Sequence, residues 1–221
     1  MEHKVSITEI KALTHDVKRF RCEKPDHYIY VAGQATEVSI NKPGFEQEKR
    51  PFTFTSLNED PFLEFTIKSY RDHEGVTQEL DHLTAGDELI IDDPWGAISY
   101  KGPGYFIAGG AGITPFLAIF RQLAKEDKLA GNKLFFSNKT EEDIILQEEL
   151  TSMMGGDAVF TITDEPTSRF HQGYINEQFL AGQIEDFSRH FYLCGPPAMV
   201  EALQTTLVKL RAAPESVVFE I

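Results

Sequence analysis

The chain has 221 residues, 41% of them hydrophobic and 25% charged, with a formal net charge of −14. That length suffices for one large domain or two ordinary ones without disulfide staples, and the composition is globular rather than disordered. So acidic a balance excludes a general nucleic-acid binder, because neutralising phosphates needs clustered Lys and Arg.

Cys22 and Cys194 are too few for a disulfide framework or a four-thiolate cluster. The N-terminus, MEHKVSITEI, has no signal-peptide core, and no window reaches the roughly 18 apolar residues of a membrane span. A cytoplasmic monomer is expected.

Up to about residue 99, short alternating segments are separated by turns. Strands are predicted at 5–13, 17–23, 35–40, 51–56, 62–70 and 87–92, with turn residues at 14–16, 41–44, 58–61 and 84–87. Six short strands without a long helix between them suggest a small antiparallel barrel, of Greek-key type, over residues 1–100. After the turn-rich segment 100–104 the pattern changes. Strands at 105–110, 133–137, 158–163, 190–194 and 216–221 alternate with helices at 114–127, 142–152, near 176–181 and at 197–211. Such βαβ units imply a doubly wound α/β domain with a mostly parallel sheet over 101–221, its ligand crevice at the carboxyl ends of the strands.

Four stretches carry chemistry. RPFTFTS (50–56) alternates aromatics with hydroxyls behind an arginine. Arg50 is either a solvated flank, with Pro51 opening an edge strand, or a phosphate ligand, with Thr53 turned toward a ring system. FIAGGAGITP (106–115) runs a strand into Gly109, Gly110 and Gly112, then Thr114 and Pro115 suit the N-cap and first position of a helix. Glycine lets a backbone approach a pyrophosphate and the helix start offers unpaired N–H groups, although a tight turn alone also calls for glycine. YLCGPPAMVEAL (192–203) repeats that pattern at a later strand end, with Cys194, Gly195 and Pro196. No histidine is placed to make Cys194 a nucleophile, and a small buried residue is the commoner fate of a lone cysteine. HEGVTQEL (73–80) reads as a capped helix start and a second anion site or a plain surface helix, and DDPWGAI (92–98) as a turn at Gly96.

Together these stretches resemble the ferredoxin–NADP reductase superfamily, in particular its short flavodoxin reductase-like members without a fused ferredoxin domain. The resemblance runs over nearly the whole chain. It implies a FAD-binding barrel followed by an NAD(P)-binding domain. Arg50, Phe52 and Thr53 match the family's flavin motif, so that Arg50 would pair with the pyrophosphate, Phe52 pack on the isoalloxazine and Thr53 place a hydroxyl near the reactive nitrogen. Gly75, Val76 and Thr77 match the phosphate segment, and 93–96 the turn after the last barrel strand. The nucleotide motif is intact at 109–115, and the Cys-Gly-Pro-Pro-x-Met motif at 194–199. Thr114 and Cys194 would flank the nicotinamide, and Glu220 matches a glutamate that helps with protons. Two departures stand out: Phe52 replaces the usual tyrosine, and Ile221 stands where relatives place a terminal aromatic over the flavin.

The implied activity is a flavoprotein reductase that draws on NADP(H) or NAD(H), with Thr53, Cys194 and Glu220 closest to the chemistry. Ser137 and Lys139, after the second strand of the C-terminal half, suit a 2′-phosphate and lean toward NADPH, whereas Glu141 and Glu142 follow immediately. The acceptor would be a carrier protein such as flavodoxin or ferredoxin, with an oxygenase component and free flavin as the alternatives. An acidic carrier needs a basic patch, for which Lys18, Arg19 and Arg21, or Arg121, Lys125 and Lys128, are the candidates; solvated faces are their commoner role. The rival readings are a non-catalytic flavin-binding or regulatory module and an electron-transfer subunit of a larger complex.

Overall fold

The structure, a computed structural model, describes residues 1–70, 75–96 and 98–219. Six antiparallel strands make the first half: β1 (His3–Ala12), β2 (Val17–Glu23), β3 (Ala35–Ile40), β4 (Arg50–Thr53), β5 (Phe62–Lys68) and β6 (Glu88–Ile91). Their order is β4-β3-β6-β1-β2-β5. An antiparallel bridge between Phe54 and Phe65, with the Thr55 amide donating to the Glu64 carbonyl at 2.8 Å, joins the two edges into a barrel. Alternation fills the inside with Val5, Ile7, Phe20, Phe54, Leu63, Phe65 and Leu89, all buried. The short helix α1 (Val76–Glu79) contributes Val76 to this core, with Leu80 and Leu83 following.

The second half is a parallel sheet of β7 (Gly104–Gly109), β8 (Lys133–Asn138), β9 (Ala158–Ile162), β10 (His171–Gln172), β11 (His190–Cys194) and β12 (Val217–Phe219), ordered β10-β9-β8-β7-β11-β12. Every residue of β7 is buried. Phe106 and Ala108 pack with Phe116 and Phe120 of α2 (Thr114–Lys125) and Leu150 of α3 (Gln147–Met154). On the opposite face Tyr105 and Ile107 meet Phe179 and Leu180 of α4 (Glu177–Gln183) and Leu203 and Leu207 of α5 (Pro197–Lys209). Helices on both faces require strands that are apolar throughout. The strand order reverses direction between β7 and β11, where such sheets open a crevice.

Two expectations need correction. The helix predicted at 142–152 is split: a capping box between Thr140 and Asp143 closes a 3₁₀ turn at Glu141–Asp143, Ile144 and Ile145 turn inward, and α3 starts only after Leu146, whose φ is 53°. Thr114 is not an N-cap. The glycine turn is itself a 3₁₀ turn, Gly110–Ile113, that runs straight into α2, so Thr114 already has helical angles. The two-residue β10 is too short to give a periodic signal.

The two halves share a core. Val17 and Ile98 of the barrel side pack into the cluster built on α2, and Gly33 lies so close that an added Cβ would sit 2.0 Å from the Ile98 carbonyl oxygen and 3.3 Å from Ile119 Cδ1.

Candidate functional site

β4 begins at an exposed Arg50 and Pro51, then half-buries Phe52 and Thr53. Its pairing places it: Thr53 stands opposite Ala35, and Ala35 on its other side bridges Trp95, exchanging N–H···O bonds of 3.1 and 2.8 Å. Thr53, Ala35 and Trp95 therefore form a row across three segments, which sets the 93–96 turn across β3 from the 50–53 strand. The Arg50 guanidinium stays at the surface. Its Nη1 donates to the Lys49 carbonyl at 2.7 Å and its Nη2 lies 3.6 Å from Glu48. Phe52 leans on the barrel core from outside. Gly75, with φ 147° and ψ −168°, and Gly96, with φ 43°, occupy backbone regions that disfavour a side chain. Thr77 follows on α1, its carbonyl accepting from the Ser69 hydroxyl at 3.0 Å.

At the switch point the two glycine–proline turns pack on one another. A Cβ at Gly112 would lie 2.2 Å from the Cys194 carbonyl oxygen, and one at Gly109 would lie 2.5 Å from Met199 Sδ and 3.0 Å from Pro196 Cδ. Gly112 is demanded by backbone approach to the end of β11, and Gly109 by the Met199 and Pro196 side chains packed on it. Gly110 is different: its φ is 51° and open space surrounds the position of a Cβ, so it presents bare backbone outward. Gly195 sits against Gly109, Thr114 and Cys194 are half-buried at the same crevice, and Pro115 is buried. The Gly110–Ile113 turn also lies against β5 of the barrel. These observations fit a nucleotide: at Gly110 the crevice ends in half-buried backbone with open space beside it among the described residues.

The third sequence-predicted cluster lies at the end of β8. Ser137 is half-buried, Lys139 exposed, and Asn138 between them is 5% exposed with neither side-chain amide atom bonded among the described residues. Glu141, which by sequence opposes a 2′-phosphate, accepts from Arg169 Nη1 at 2.9 Å and from the Thr167 hydroxyl. Arg169 joins this corner from the loop after β9. Its only signal in sequence is a lone cation in that loop. Glu220 lies outside the described residues.

Neither candidate basic patch survives. Lys18 pairs with Asp81, Arg19 and Arg21 with Glu9 and Glu64, Arg121 with Glu64 and Glu149, Lys125 with Glu59, and Lys128 with Glu126. The Glu64 side chain is 2% exposed. Burial alone would raise its carboxyl, but the guanidinium groups of Arg121, Arg21 and Arg19 outweigh that and hold it below the usual carboxylate range. Cys22 is buried in the barrel, which pushes its thiol up to about 12, far from reactivity. No helix among the described residues is long and apolar enough to cross a membrane.

Residues 4–100 match the oxidoreductase FAD-binding domain family and residues 106–205 the oxidoreductase NAD-binding domain family. NADH-cytochrome b5 reductase 1 of Rattus norvegicus is 31% identical over 233 residues, spanning 86% of this chain and 75% of the relative. The naphthalene 1,2-dioxygenase system ferredoxin–NAD(P)(+) reductase component of Pseudomonas putida is 26% identical over 231 residues, spanning 97% and 67%. Among solved structures, a ferredoxin NADP+ reductase from Neisseria gonorrhoeae with bound FAD and NADP has the same fold, with a TM-score of 0.88 at 20% identity over 99% of this chain and 98% of that one. The chain spans 67%, 61% and 58% of the length of three components of bacterial oxygenase systems that it resembles.

Proposed function

Because the chain belongs to the ferredoxin–NADP reductase superfamily of flavoprotein oxidoreductases, we propose that it takes electrons from NAD(P)H onto bound FAD and passes them to an acceptor protein. Residues 1–100 would form the FAD-binding unit and 101–221 the nucleotide-binding unit. The observation that carries this reading is the packing of the 109–115 turn on the 194–196 turn at the switch point, with the same glycine turn lying against barrel strand β5. A single crevice between the halves can then present one ring system to another.

FAD, when bound, would supply the redox chemistry, namely hydride acceptance from a nicotinamide and release of electrons singly or in pairs. The chain's own residues bind and orient. Arg50 and Thr77 hold the flavin pyrophosphate, with Gly75 and Val76 supplying backbone at the start of α1. Phe52 covers the ring system with apolar surface and carries no hydroxyl, so the hydrogen bond a tyrosine would give is absent. Thr53 presents its hydroxyl at the ring edge, and Pro51 with Gly96 shapes the neighbouring turns. Gly109, Gly110, Gly112, Thr114 and Pro115 hold the nucleotide pyrophosphate on the first turn of α2. Ser137 and Lys139, with Glu141 neutralised by Arg169, favour a 2′-phosphate and hence NADPH. Cys194, Gly195 and Pro196 wall the nicotinamide, and Glu220 is assigned proton handling.

The acceptor is an electron-accepting protein such as flavodoxin or ferredoxin, met by a surface other than the two ion-paired clusters, and the chain acts as a cytoplasmic monomer. The relatives named as components of oxygenase systems support the rival that the chain serves as one subunit of such a system. Anaerobic mixing of the flavin-loaded chain with NADPH and with NADH, following the flavin band, tests the reading. Rapid bleaching by one nucleotide is expected, faster with NADPH. Bound flavin that neither nucleotide bleaches would overturn it, and slow reduction of artificial acceptors after fast bleaching would favour the subunit.

A further inference from the structure

Arg121 lies on the barrel-facing side of α2, and its guanidinium spans both halves of the molecule. Nη1 donates to the Thr55 carbonyl at 2.5 Å and to Glu64 Oε1 at 2.8 Å, both in the barrel. Nε and Nη2 donate to the two Glu149 oxygens of α3 at 2.6 and 3.0 Å. Glu64 is held from its other side by Arg21 Nε at 3.0 Å, and Arg19 and Arg21 share Glu9. Three carboxylates thus balance three guanidinium groups across one interface. Thr55 is two residues beyond Thr53, and its hydroxyl also donates to Glu64 Oε1 at 3.1 Å. Arg121 is seven residues beyond Thr114, two helical turns along the same face, about 10.5 Å at 1.5 Å per residue.

Resting on the reductase reading, we propose that Arg121 is the positioning residue that sets how the nicotinamide lies against the flavin. Its fork fixes α2, which begins in the nucleotide turn, to the extension of the strand that bears Thr53. An apolar contact would join the halves as firmly but would let one slide along the other. A planar fork with four directed bonds does not. Stability is a poor reason to bury these charges, since ion pairs of this kind are often matched by packed apolar side chains. Geometry is a better one, because misplacing reacting groups by about 1 Å can cost on the order of a hundredfold in rate.

The test compares the flavin-loaded wild type with Arg121→Met, which keeps the aliphatic stem, and Arg121→Lys, which keeps the charge without the fork. In Arg121→Met, Glu64 retains Arg21 and Glu149 is partly solvated, so the fold is expected to survive. Three quantities are read: the limiting rate of flavin bleaching at saturating NADPH, the flavin difference spectrum on adding NADP+, and the exchange of the amides at 55–57. Arg121→Met should lower the limiting rate at least tenfold, reduce the difference spectrum by half or more and speed amide exchange. The dissociation constants of FAD and NADP+ should stay within twofold, and Arg121→Lys should fall between. Should Arg121→Met not fold, Glu149→Gln loosens the outer arm alone and should cost about threefold in rate with the same spectral sign. An unchanged rate and spectrum, or losses that follow weakened FAD or nucleotide binding, would overturn the proposal. Wild-type flavin that no nucleotide bleaches would instead overturn the reductase reading beneath it.

Discussion

β7 and β5 are buried alike on both faces, but with different chemistry. In β7 (GYFIAG) both faces meet helices of the same sheet, and every side chain is apolar or absent. In β5 (FLEFTIK) Leu63, Phe65 and Ile67 fill the barrel while Glu64 and Thr66 face outward, where α2 and the Arg19 and Arg21 side chains cover them. A face buried inside one domain is made from close-packed hydrocarbon, whereas this face, buried between two domains, is made from paired charge. The first maximises area removed from water; the second gives orientation.

The contrast can be broken from the apolar side first. Phe106 is fully buried, stacked on Tyr192 at 4.2 Å between ring centroids and edge-on to Phe120 at 4.7 Å. Phe106→Ala should cost about 4 kcal/mol by lost transfer energy and cavity. Urea unfolding followed by fluorescence measures it, and a loss under about 1 kcal/mol would mean the helices collapse onto the gap.

From the charged side, Glu64→Gln leaves three guanidinium groups with one fewer counter-charge and should cost about 3 kcal/mol, as breaking a buried pair does. The same variant sharpens the comparison through pH. The Glu64 carboxyl sits below its ordinary 4.5 in the folded chain, so between that value and its folded one the unfolded chain binds more protons. Its contribution is therefore fully present above about pH 4.5 and drains away as pH falls through the folded value. Melting temperature against pH should fall less steeply below 4.5 in Glu64→Gln than in wild type. Parallel curves would show that other carboxylates govern acid unfolding.

This difference also decides what could be read from sequence. Period and punctuation locate both sheets, since alternation in 17–23 and 62–68 and glycine–proline turns at 109–115 and 194–197 are local signals. Packing of the second turn on the first follows from topology once the sheet is recognised. The Glu64–Arg121 pair has no such signal. FLEFTIK reads as a strand with a wet outer face, and the partner lies 57 residues away on another element. The available hint is composition: in TPFLAIFRQLAK an arginine follows directly on the apolar run Pro115–Phe120, a position that a solvated face explains as well as a buried one. Arg169 was illegible for the same reason, because its meeting with Glu141 depends on how two loops end rather than on any repeat.

The smallest expected effect marks the edge of the charged interface. Lys125 lies one turn beyond Arg121 on α2 and reaches Glu59 of the barrel, yet their side chains are 56% and 42% exposed. Water and salt screen such a pair, and the lysine loses side-chain entropy in holding it, so Lys125→Ala should change stability by less than about 0.5 kcal/mol. It should also leave the NADP+ difference spectrum of the flavin-loaded chain unchanged, because Lys125 offers one rotatable ammonium where Arg121 offers a fork. A double-mutant cycle with Glu59→Gln gives the pair's coupling. A coupling above about 1 kcal/mol would move the boundary of the orienting interface out to the surface and take from Arg121 its distinct place in it.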